Sequence, residues 1–127
     1  VCAATGALFV INDRVDIAVT LDADGVHLGP HDMSISAALA AAPNLIIGGS
    51  AGSLERAIQL ETEGAHYLGC GAVFEAREVK KDASPPRGLN FVESIATEIS
   101  IPFVGIGGIT SALAAKVKDG TITPSPG

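Results

Sequence analysis

Tryptophan is absent from this chain, tyrosine and methionine occur once each, and among 127 residues there are only two cysteines, Cys2 and Cys70. Two thiols far apart and outside any C-x-x-C pair suggest neither a disulfide framework nor a zinc site, so they read as reduced thiols of a cytosolic protein. Basic residues are also few: 8 Lys and Arg against 14 Asp and Glu leave a formal charge of −6. That balance argues against nucleic acid as a partner, because phosphate backbones are bound by basic surfaces, and any anion must instead be held locally. No apolar stretch approaches the roughly 20 residues of a membrane span, and the N-terminus lacks the basic-then-apolar order of a signal peptide. The expectation is a soluble, cytoplasmic protein without a membrane partner.

What the chain has in quantity is apolar residues, 47%, and glycine, 15 in all. This is enough apolar material for one core and too little for two ordinary domains, and glycine is needed where strands turn quickly into helices. Short apolar runs recur at Leu8 to Ile11, Val26 to Leu28, Leu45 to Ile47, Tyr67 to Leu68 and Phe103 to Ile106, separated by helix-like segments. The alternation predicts an α/β fold of successive βα units around a parallel sheet. Ile35, Ala38, Leu39 and Ala42 form one helical stripe, with Ser34 placed to cap its start. Leu54, Ala57, Ile58 and Glu61 put an apolar stripe on one side of a second helix and charge on the other, and Phe91, Val92, Ile95 and Ile99 make a third stripe.

Two segments break the rhythm. The loop "EAREVKKDASPPRG", 75–88, is long for a βα connection, where about 2 to 6 residues is usual, so it is either functional or disordered. It holds four of the eight basic residues, Arg77, Lys80, Lys81 and Arg87. The end, "DGTITPSPG", has no period and reads as an irregular tail. The domain expectation is a barrel-like unit over 1–119 followed by a tail over 120–127.

In a parallel βα array the carboxyl ends of the strands share one face, where loops carry binding and catalysis. Asn12 and Asp13 follow the first run, Asp32 the second, Ser50 the third, Lys80 and Lys81 the fourth, and Gly107 with Gly108 the fifth. Asp13 and Asp32 are hard oxygen donors of the kind Mg²⁺ accepts beside substrate phosphates. Equally, each precedes a helical segment and could simply cap it. Lys80 could pair with a diphosphate, and "GIGGIT" at 105–110 could turn backbone N–H groups toward a phosphate. His27 and His31 straddle a strand end rather than a helix face, so zinc ligation is not expected and His27 reads as structural. Ser50 has no general base near it along the chain, so no nucleophilic triad is indicated.

At these residues the chain resembles the thiamine phosphate synthase family. "VINDRVDIA", "ADGVHLG" followed by Asp32, "LIIG" with Ser50, "KKDA" with "PPRGL", and "SIPFVGIGGIT" are similar to that family's motifs, in the same order, over roughly 5–119. The resemblance implies a (β/α)₈ TIM barrel, here incomplete with about five βα units. It also implies a transferase of thiamine biosynthesis that joins hydroxymethylpyrimidine diphosphate to thiazole phosphate and releases diphosphate. By position, Asp13 and Asp32 would hold Mg²⁺ and Asn12 would lie on the diphosphate side of the pyrimidine substrate. Ser50 would face the pyrimidine, Lys80 the diphosphate and Gly108 the thiazole phosphate, which makes Ser50 and Lys80 the expected catalytic pair.

The chain departs from the family pattern at Pro30-His31, where Gln-Glu is usual, and at Arg77-Glu78-Val79-Lys80, where Thr-x-Thr-Lys is usual. A complete barrel typically needs about 250 residues and rarely fewer than about 200, so the expectation is a fragment that partners a second copy or a complementing chain. The rival readings are a thiazole tautomerase of the same fold, which needs no Mg²⁺, and a non-catalytic remnant.

Overall fold

A computed structural model describes residues 2–71 and 88–107. The basic loop with Arg77, Lys80, Lys81 and Arg87, Gly108 and the 120–127 tail lie outside the described residues. A short helix α1 (Cys2–Thr5) leads into five strands: β1 (Val10–Asn12), β2 (Gly25–Leu28), β3 (Ile46–Ala51), β4 (Tyr67–Gly71) and β5 (Phe103–Ile106). Between them lie α2 (Val15–Thr20), α3 (Ile35–Ala41), α4 (Leu54–Glu63) and α5 (Gly88–Glu98). The strands form one sheet in sequence order, β1-β2-β3-β4-β5, with every neighbouring pair parallel. Parallel neighbours require a crossover, and a helix supplies it each time.

Local chemistry explains where the helices begin and end. Ser34 accepts the Ala37 N–H at 3.2 Å and starts α3, as its position in the sequence predicts. Ser53 does the same for α4, accepting the Arg56 N–H at 3.1 Å. Gly64 then ends α4 at φ 105°, a left-handed conformation that a side chain would strain.

Successive strand residues point to opposite faces, and here the two faces differ in chemistry. Val26, Leu28, Ile47, Ala51, Leu68 and Cys70 are buried against the helices, where Ile35, Ala38, Ala57, Leu60 and Ile95 meet them. Each large side chain so buried contributes about 1.5–3 kcal/mol. Burial also pushes the Cys70 thiol up to about 12, so it packs as a small apolar group. The opposite face carries Asn12, His27, Gly48 and Tyr67 in one row of register partners, with Ser50 and Gly69 in the next row toward the carboxyl end.

Three expectations shift. The first strand starts at Val10, and Leu8 before it is 66% exposed. The third strand runs to Ala51, so Ser50 lies within it; Asn12 likewise closes β1 instead of following it. On α4 the buried pair is Ala57 and Leu60, while Ile58 faces outward. Glu61 has a structural task instead: its Oε2 accepts the Ser100 N–H at 2.7 Å and the Ile101 N–H at 3.2 Å.

Candidate functional site at the carboxyl end of the sheet

β1 ends at Asn12, and the chain turns sharply at Asp13, whose φ is 72°. Its backbone N–H donates to the His27 carbonyl at 2.8 Å, extending the β1–β2 ladder one residue past the strand. Non-glycine residues seldom adopt this left-handed conformation, and Asp and Asn tolerate it best. The turn sets the exposed Asp13 side chain at the carboxyl end of the sheet. After β2, Asp32 folds back: its Oδ2 accepts the Gly29 N–H at 2.7 Å. A β-carbon at Gly29 would stand 3.1 Å from that oxygen, so a larger residue would crowd the turn.

The two turns bring the acids together. Asp13's pKa is raised by the hydrogen-bonding approach of Asp32 first, then by the repulsion between the two carboxylates and by desolvation, while His27 nearby acts in the opposite sense. Neither acid caps a helix. The α2 cap position is Arg14, with no side-chain cap bond, and the α3 cap is Ser34. The adjacent cation does not neutralise the pair either, because Arg14 is taken up by Asp16 through contacts of 2.6 and 2.8 Å. Hydrogen bonding to Arg14 is also the leading cause that lowers the Asp16 pKa to about 2. Among the described residues no cation pairs with these two clustered carboxylates, a donor set of the kind a hard divalent ion completes.

Behind the acids lies a polar row that the linear sequence conceals. Although no base stands near Ser50 along the chain, the fold sets His27 Nε2 2.7 Å from Ser50 Oγ. The other ring nitrogen, Nδ1, is 2.9 Å from the Tyr67 hydroxyl. Tyr67 reaches His27 by crossing Gly48, where any β-carbon would overlap its ring. Gly69 likewise leaves room for the imidazole, its built β-carbon falling 3.1 Å from His27 Cε1. Burial lowers the His27 pKa and Asp13 partly opposes that, whereas burial raises the Tyr67 pKa. His27 and Tyr67 escaped the sequence reading as site residues. The signal available was the alternation of β2 and β3 together with Gly48, which share one face only once the strand register is known.

Asn12 is the register partner of His27, so Asn12, Asp13, Asp32 and Ser50 all stand at the carboxyl ends of β1, β2 and β3. Gly107, just past β5, has φ 104°, a turn suited to glycine.

A parallel βα sheet with acids gathered at its carboxyl end defines a wall of a βα barrel with its functional face at that end. Residues 1–123 match the family model described as thiamine monophosphate synthase, and the chain belongs to that family. A thiamine-phosphate synthase of Pyrococcus furiosus is 50% identical over 111 residues, which cover 87% of this chain and 53% of that protein. One of Methanocella arvoryzae is 44% identical over 117 residues, covering 91% of this chain and 55% of that protein. The solved thiamine phosphate pyrophosphorylase of Pyrococcus furiosus superposes with a TM-score of 0.86 at 44% identity, over 95% of this chain and 57% of that one. The fold is therefore part of a TIM-like barrel, and the chain spans about half the length of the curated relatives it matches. Among the described residues no helix is long and apolar enough to cross a membrane.

Proposed function

We propose that this chain carries the magnesium and pyrimidine-diphosphate half of a cytoplasmic thiamine phosphate synthase. The observation that supports this most is the approach of Asp13 and Asp32, two carboxylates at one end of the sheet that cap no helix and that no cation among the described residues neutralises. They would hold Mg²⁺, whose bound charge assists departure of the diphosphate. Asn12 sits beside them in β1 and would orient the diphosphate side of the substrate. Ser50 would donate or accept a hydrogen bond at the pyrimidine, Lys80 would pair with the diphosphate oxygens, and Gly108 would present backbone N–H to the thiazole phosphate.

In this reading diphosphate leaves first, and the thiazole nitrogen captures the resulting pyrimidine methylene cation. Neutralising the leaving group is then the main contribution of the site. Residues 1–119 form the barrel unit and 120–127 the tail. The tautomerase alternative needs no Mg²⁺, and the Asp13–Asp32 arrangement weighs against it. The test is to co-express the chain with the leading strands and final strand of a related synthase, supply hydroxymethylpyrimidine diphosphate, thiazole phosphate and Mg²⁺, and follow thiamine phosphate and diphosphate together. Stoichiometric formation of both supports the proposal. No product, or thiazole isomerisation that proceeds in chelator, overturns it.

A further inference from the structure

The contact between Ser50 and His27 invites a triad reading, but the third member is Tyr67 and not a carboxylate. A phenol in that place cannot stabilise an imidazolium as an acid does. What it can do is choose a tautomer. A neutral imidazole has one N–H and one lone pair, so of its two hydroxyl partners one must donate and the other must accept. The partner that accepts keeps its own O–H free to point elsewhere.

We infer that Tyr67 donates to His27 Nδ1, that His27 Nε2–H donates to Ser50 Oγ, and that the Ser50 proton is thereby reserved for an acceptor atom on the ligand. Tyr67 and His27 are then positioning residues, and their effect is specificity: the site favours a heteroaromatic ring nitrogen opposite Ser50 over a carbon-bound hydrogen or an N–H. Two observations and one chemical preference favour this direction. Tyr67 lies in the row farther from the carboxyl end, its ring set over Gly48 and tilted 34° to the imidazole at 5.5 Å, with its hydroxyl 2.9 Å from His27 Nδ1. Ser50 lies one row nearer the carboxyl end, where ligands arrive. A phenol is also a stronger hydrogen-bond acid than an aliphatic hydroxyl, so the arrangement with Tyr67 as donor is the better one.

The inference takes its ligand, a pyrimidine, from the proposed function, but the polarity of the relay is a property of the free protein. The first measurement therefore uses no ligand. With ¹⁵N-labelled histidine at pH 8, the intact protein should show His27 as the Nε2–H tautomer, assigned by its loss in His27→Gln. Ser50→Ala should leave that tautomer in place, and Tyr67→Phe should bring the Nδ1–H form into population. An Nδ1–H or doubly protonated His27 in the parent overturns the inference, as does a tautomer that follows Ser50 and ignores Tyr67.

The second measurement is kinetic. Tyr67→Phe should raise KM for the pyrimidine substrate about 5- to 10-fold, the equivalent of one oriented hydrogen bond, with kcat changed far less. His27→Gln, whose amide N–H replaces Nε2–H, should recover most of the binding that His27→Leu loses. Equal losses in the Gln and Leu variants would overturn the role of the N–H. If neither substrate turns over, the proposed function fails while the tautomer measurement still decides the relay.

Discussion

Tyr67 and Gly48 are register partners on adjacent strands, and the tyrosine ring occupies the space a β-carbon of Gly48 would take. Gly48→Ala must therefore push the ring aside or spread β3 from β4. Overpacking of this kind costs about 1–3 kcal/mol. Urea unfolding of Gly48→Ala, Tyr67→Ala and the double variant should show strong non-additivity, the second change removing most of the cost of the first. Additive losses would place the strain elsewhere.

Asp13 provides a pH signature. Its folded pKa is raised above the ordinary 3.8 by Asp32. A carboxyl raised on folding contributes stability that is present below 3.8 and is lost as pH rises through the folded pKa. The ionised pair thus weighs against folding at neutral pH. Asp13→Asn removes the repulsion and keeps a residue that accepts φ 72°. The variant should melt higher than the parent at pH 7 without metal, and the gain should vanish below about pH 3.8. A gain that grows toward acid would contradict the pairing.

Glu61 ties α4 to the turn before β5 through two backbone N–H groups. Removing a charged acceptor costs about 1.5–3 kcal/mol, with this solvent-accessible site at the low end. Glu61→Ala should lower the urea midpoint by the corresponding amount without altering the slope. An unchanged midpoint would mean that solvent replaces the carboxylate at no cost.

Much of this fold is legible in the order of apolar runs, because a parallel sheet covered by helices demands them, and Ser34 announces α3 directly. Strand limits are less legible. Leu8 and Phe9 look like strand residues, yet the ladder begins with the Phe9 carbonyl accepting the Asp24 and Gly25 N–H groups, and Leu8 stays outside it. β3 outlasts its apolar run because Gly48 and Gly49 are small for packing reasons: Tyr67 crosses one, and Leu60 and Ile35 press on the other. The Asp pair is visible as two acids after two strands, but whether they cap helices or face each other depends on turn geometry at Asp13 and Gly29. The Tyr67–His27–Ser50 chain of contacts joins residues 40 and 23 positions apart, and only strand register brings them together.

If Asp13 and Asp32 act jointly on a metal-bound diphosphate, as proposed, calorimetric titration of inorganic diphosphate registers it without any turnover. The parent protein should bind diphosphate at least about tenfold more tightly in Mg²⁺ than in chelator, a difference of about 1.4 kcal/mol in binding free energy. Asp32→Ala should abolish that difference while the protein stays folded. Equal affinity in Mg²⁺ and in chelator, or a metal dependence that survives in Asp32→Ala, would contradict a shared metal at the two aspartates.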